Sequence, residues 1–196
     1  MAKTLAGKAV SFIERSKAKP FYLYLATHDI HVPRVPNDRF KGTSQCGLRC
    51  DAIQQLDWTV GEVMAALDRH NLTNDTLVIF SSDNGPWLSK GTDAGEAGPL
   101  RGGKGSTFEG GVREPTIAWW PGRIAPGSVC DAVAGNIDFL PTFVKLAGGT
   151  VPTEHAAALA ALPSSLPAAL VTTLRRATDP DPERRFTTAG ALERAL

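Results

Sequence analysis

Apolar positions recur at mostly helical spacing over residues 4–16, where Leu5, Ala9, Val10, Phe12 and Ile13 oppose Glu14, Arg15 and Lys17. This predicts a first helix. Pro20 separates it from Phe21-Tyr22-Leu23-Tyr24-Leu25, an aromatic-rich apolar run that reads as a buried strand. The strand ends in the polar loop Ala26-Thr27-His28-Asp29-Ile30-His31-Val32-Pro33. A second helix is expected from about Arg49 to His70, with Ile53, Leu56, Val60, Val63, Met64 and Leu67 as one apolar stripe. The run Thr76-Leu77-Val78-Ile79-Phe80 predicts another buried strand, stopping at Ser81-Ser82-Asp83-Asn84-Gly85. Residues 85–113 are rich in glycine and nearly free of aliphatic side chains, and a loop of that length in a compact domain is functional or disordered. A third strand is expected at Pro115 to Trp120, stopped by Pro121-Gly122, and a closing helix from about Asp138 to Leu146.

The order helix, strand, long helix, strand, loop, strand, helix predicts an α/β fold with helices on the faces of a sheet. Three strands are few for that architecture and their apolar content requires cover on both sides, so residues 1–150 read as part of a larger domain. From residue 151 the composition shifts to Ala, Leu and Pro, and residues 187–196 read as a short helix. Residues 151–196 are therefore expected to be a linker and a helical tail.

Composition narrows the function classes. An apolar share of 42% and a charged share of 21% suit an ordinary globular domain. A net charge of +1 gives no reason to expect nucleic acid or an anionic membrane surface. No apolar run approaches the roughly 20 residues of a membrane span. Met1-Ala2-Lys3-Thr4-Leu5 has no signal-peptide core, so no export signal is expected in these residues. Cys46, Cys50 and Cys130 are an odd set without zinc-site spacing, and read as packing or surface thiols. An open sheet edge would also favour self-association.

The candidate chemistry sits in three loops expected at strand C-termini. The first carries His31, followed by Val32-Pro33. The second carries Asp83 and Asn84, whose adjacent carboxylate and amide suit a hard divalent cation such as calcium. Asp-Asn-Gly is also ordinary turn chemistry. The third runs from Arg101 through Gly102-Gly103-Lys104-Gly105-Ser106 to Pro115. Its glycines let a ligand approach the backbone and leave Lys104 to meet an anion as a point charge. The spacing around Lys104 is not that of a P-loop. His28 reads as a bystander, and Arg101 and Arg113 as structural ion-pair partners.

Residues 8–149 resemble the sulfatase family of the alkaline-phosphatase-like superfamily, nearest to its arylsulfatase A and N-acetylgalactosamine-6-sulfatase group. The resemblance is carried by Lys19-Pro20-Phe21-Tyr22-Leu23-Tyr24-Leu25-Ala26 leading into His31-Val32-Pro33, by Phe40 to Gln45, Asp51 to Gly61 and Leu77 to Gly85, and by Gly103 to Pro115. It implies a partial alkaline-phosphatase-like sheet flanked by helices and hydrolysis of an aryl sulfate or a sulfated sugar. It also implies calcium held by Asp83 and Asn84, with Lys104 and His31 contacting the sulfate. Members of the family are usually exported or lysosomal. The family's formylglycine is made within a Cys/Ser-x-Pro-x-Arg motif, and neither Cys46, Cys50, Cys130 nor any serine begins one. The paired aspartates of the family site are missing too. Formylglycine is thus absent, calcium is expected to bind weakly, and the chain is expected to be inactive alone. Residues 163–196, through Asp181-Pro182-Glu183-Arg184-Arg185-Phe186, resemble the end of a bacterial serine/threonine kinase C-lobe.

Overall fold

The computed structural model describes residues 1–149. The expected linker, helical tail and kinase-like segment lie outside the described residues. The chain divides into two compact units, Met1–Gly127 and a second beginning at Ser128.

In the first unit, α1 (Ala2–Ser16) and α2 (Gly47–Arg69) pack against each other. The buried face of α1 is Ala2, Ala6, Ala9, Ile13 and Ser16, a helical series of mostly small residues. Ile13, Ala66 and Leu67 form the center of the core, covered by Val10, Phe21, Leu23, Val63, Met64, Leu72 and Val78. Burial of a side chain such as Ile13 or Leu67 is worth about 1.5–3 kcal/mol.

The expected stripe on α2 holds only in its C-terminal half. Val63, Met64 and Leu67 meet the core, whereas Ile53 is 40% exposed. In the N-terminal half, Asp51, Ala52, Gln55 and Thr59 are buried instead. The reason is polar: Asp51 accepts from the Gly42 and Ser44 amides at 2.7 and 2.9 Å and from Ser44 Oγ at 2.5 Å. Helix α2 therefore serves as an apolar wall at one end and a clamp for the preceding loops at the other.

Those hydrogen bonds, that of the Ser44 hydroxyl foremost, hold the Asp51 carboxyl below the usual carboxylate range. A depressed carboxyl adds stability above its unfolded-state value, and that stability is lost as pH falls through the folded value. Asp51→Ala is expected to lower Tm by roughly 5 °C at pH 7. Thermal melts across pH should show the gap closing toward pH 3; a constant gap would remove the carboxylate's role.

The strands β1 (Val78–Ser81) and β2 (Thr116–Trp119) pair antiparallel, with Val78 opposite Trp119 and Ser81 opposite Thr116. Two of the three expected strands thus form, as a small sheet beside the helices. Residues 21–25 were expected to be a buried strand, but over 21–29 burial alternates, with Phe21, Leu23, Leu25, Thr27 and Asp29 turned inward and Tyr22, Tyr24, Ala26 and His28 exposed. They pair with no strand among the described residues, so the first predicted strand is extended chain without a ladder.

Cys46 and Cys50 are joined in a disulfide with Cα atoms 5.5 Å apart, correcting their reading as free thiols. Cys46 is the N-cap of α2 and Cys50 lies one turn on, so the helix brings the two side chains to one face. Cys130 is free and exposed. In the second unit, α4 (Phe139–Leu146) follows a turn in which Asp138 caps the Gly135 amide at 2.7 Å. No helix among the described residues is long and apolar enough to cross a membrane.

Candidate functional site

The antiparallel pairing decides how the loops meet. The 101–115 loop enters β2 at its N-terminal end instead of leaving a strand C-terminus, as sequence had suggested. That end lies beside the C-terminal end of β1, so the loops of Asp83-Asn84 and Lys104 share one edge.

Close backbone contact fixes them there. The Gly85 amide donates to the Gly111 carbonyl at 3.1 Å, and the Lys104 amide to the Pro86 carbonyl at 2.8 Å. The short helix α3 (Glu109–Val112) carries Gly110 and Gly111 into this contact. A Cβ on Gly85 would overlap the Gly110 carbonyl oxygen, and one on Gly111 the Ser106 carbonyl. The glycines are required here because backbone packs on backbone.

At the edge, Asn84 Nδ2 donates to Asp83 Oδ1 at 2.6 Å. The ladder ends at the Ser81–Thr116 pair, and just beyond it Asp83 and Glu114 come close enough for their charges to interact. Glu114 is partly buried, its Oε1 has no hydrogen-bond partner among the described residues, and burial, then the charge of Asp83, push its carboxyl up. Like charges brought this close are unfavourable. A carboxylate, an amide and this surplus negative charge fit a hard cation such as calcium in donor type. They do not fill its coordination, and no group of three His, Cys, Asp or Glu suited to a metal occurs among the described residues. Sequence reasoning missed Glu114 because its position near Asp83 exists only once the strands pair.

Lys104 is exposed, with its Nζ 5.9 Å from the centroid of the Trp87 ring, and both residues line a cavity of about 290 Å³ with Leu88 and Ser106. His31 is exposed; its Nδ1 lies 2.8 Å from the Val32 carbonyl, its one hydrogen bond through the ring. The structure joins Asp83, Asn84 and Lys104 through packed backbone, while no hydrogen bond or ion pair among the described residues links His31 to them. Its loop is anchored separately. Gln55 donates to the buried Asp29 at 2.6 Å and accepts from the Asn37 amide at 2.8 Å. Arg34 reaches Asp93 at 3.1 Å, tying this loop to the segment after Trp87. Arg113 pairs with Glu109 at 3.2 Å, as expected. Arg101 instead lies over the Phe108 ring at 3.7 Å.

Known proteins resemble this chain in sequence and in fold. The family model described as Sulfatase matches residues 1–149. N-acetylgalactosamine-6-O-sulfatase of Bacteroides thetaiotaomicron is 42% identical over 165 residues, which cover 80% of this chain and 32% of that protein. Arylsulfatase A of Homo sapiens is 46% identical over 134 residues, covering 68% and 26%. The solved structure of the PsFucS1 sulfatase from Pseudoalteromonas sp. matches with a TM-score of 0.73 at 37% identity, covering 77% of this chain and 31% of that one. The chain spans between about a quarter and a third of the length of these relatives. Its fold is the corresponding part of the alkaline-phosphatase-like architecture, an α/β fragment with a small sheet and flanking helices. The chain belongs to the sulfatase family.

Proposed function

We propose that this chain supplies the cation- and sulfate-contacting portion of a sulfuric ester hydrolase site, acting on an aryl sulfate or a sulfated sugar. The observation that carries the reading is the backbone lock between the Asp83-Asn84-Gly85 turn and the Lys104 loop. Asp83 and Asn84 would hold calcium through carboxylate and amide oxygens. Bound calcium would counter negative charge on the ester.

The other steps belong to the chain's own residues. Lys104 holds the sulfate as a mobile point charge and favours charge growing on its oxygens. His31 directs Nδ1–H at the Val32 carbonyl, which leaves Nε2 to exchange a proton near the leaving oxygen. The 196 residues contain no Cys/Ser-x-Pro-x-Arg motif and hence no formylglycine nucleophile. The chain alone therefore binds without turning over, residues 1–150 being one part of a catalytic domain.

Calorimetry on the full chain is expected to show sulfate binding that Lys104→Ala weakens at least tenfold, about 1.4 kcal/mol. Calcium binding should vanish in Asp83→Ala while the wild-type melt is retained. Sulfate affinity that survives Lys104→Ala would refute the assignment. A chromogenic aryl sulfate should not be hydrolysed with or without calcium. Calcium-dependent turnover by the pure chain would overturn its inactivity.

A further inference from the structure

The cavity beside Lys104 has a floor that the sulfate-contacting role does not use. Trp87 is 40% exposed, and two ammonium groups lie over its indole, Lys90 Nζ at 4.1 Å and Lys104 Nζ at 5.9 Å from the ring centroid. The ring is held from both ends. Upstream, the Lys104 amide bonds to Pro86, and Gly103 lies so close that a Cβ there would meet the Pro86 carbonyl oxygen at 2.6 Å. Downstream, Asp93 is paired with Arg34. Trp87 also follows Asn84 by three residues, so the indole adjoins the proposed cation edge in the chain.

We propose that Trp87 and Lys90 form a subsite for a sugar ring carrying a second anionic group, next to the sulfate held by Lys104. This rests on the functional reading above and selects, within it, a multiply anionic glycan over a simple aryl sulfate. An indole face accepts an aromatic ring or the apolar face of a pyranose through the same dispersion contact. The charges discriminate between them. An aryl monosulfate brings one anion, already countered by Lys104 and the cation, and leaves Lys90 unmatched. A sugar with a second sulfate or a carboxylate gives Lys90 a partner at the edge of the same ring. At about 290 Å³ the open depression lined by Trp87 and Lys104 is just below the usual size of ligand sites and has room for no more than about one monosaccharide unit, with Lys90 outside its lining.

The test is calorimetry on the full chain with calcium present, using sodium sulfate, N-acetylgalactosamine 6-sulfate and N-acetylgalactosamine 4,6-disulfate as probes. The disulfated sugar is expected to bind roughly tenfold tighter than the monosulfated one, and Lys90→Ala should erase that ratio without changing sulfate affinity. Trp87→Ala should weaken both sugars roughly tenfold and spare sulfate, and Trp87→Phe should restore most of the loss. Equal affinity for the two sugars, or a ratio that survives Lys90→Ala, would mean that Lys90 only covers the indole and would overturn the subsite. Sulfate binding without any sugar preference defeats this inference and leaves the functional reading standing. Loss of sulfate binding altogether defeats both.

Discussion

Gly110→Ala is expected to cost about 3 kcal/mol of stability and to abolish sulfate binding by a chain that still folds. The added methyl group would enter the Gly102 carbonyl oxygen and lie 2.8 Å from that of Arg101. Both obstacles are backbone, so no side chain can turn aside. The 101–103 strand of loop would have to move, and with it the Lys104 amide that bonds to Pro86. Lys104 would then no longer stand beside Asp83 and Asn84. Gly61→Ala is the control. That glycine lies inside α2 with nothing within 4 Å of an added Cβ, so the same change should stabilise by about 0.5–1 kcal/mol through helix propensity. Paired denaturant melts and sulfate titrations read both. Full sulfate affinity in Gly110→Ala would show that the lysine does not depend on this contact.

The contrast between these two glycines also marks what sequence reveals and what it withholds. The helical periods of α1, α2 and α4 and the apolar runs at β1 and β2 are local signals, and the elements form close to where those signals end. Residues 21–25 read as a continuous apolar run, yet the two tyrosines face solvent, and a ladder needs a partner that no local pattern specifies. The Asp51, Gln55 and Thr59 face of α2 was hidden for a different reason. Polar side chains read as solvent-facing until the loops that they bind are known. The disulfide of Cys46 and Cys50 followed from where the helix starts, a boundary that sequence places within a few residues at best. At the site, Asp83, Asn84 and Lys104 were legible as candidates through the sulfatase resemblance, since Asp-Asn-Gly alone is ordinary turn chemistry and a lone lysine an ordinary surface residue. Glu114 was not, since its meaning depends on the antiparallel register.

Gln55→Leu tests the other half of the construction, the loop that carries His31, and is expected to cost about 3 kcal/mol. Gln55 and Asp29 are 4% and 5% exposed, and the amide of Gln55 satisfies the Asp29 carboxylate and the Asn37 N–H at once. Leucine fills similar space but leaves a buried carboxylate whose other oxygen, Oδ2, already lacks a partner among the described residues. The penalty is thus one of stranded polar groups, more than of lost packing. The double variant Gln55→Leu with Asp29→Val separates the two terms, because removing both partners of a buried pair costs far less than removing one. It should recover about half of the lost stability, with the Asn37 N–H still unpaired. If the double variant melts below the single one, Asp29 is held by something other than Gln55. His31 follows Asp29 by two residues, so the single variant should also free the loop that presents the imidazole. Its ring resonances should then shift and broaden, while those of Trp87, held by the Pro86 and Gly103 contacts, stay in place. Disturbance of both would mean that the Arg34–Asp93 pair makes the two loops one unit, and His31 would then belong to the same rigid frame as Lys104.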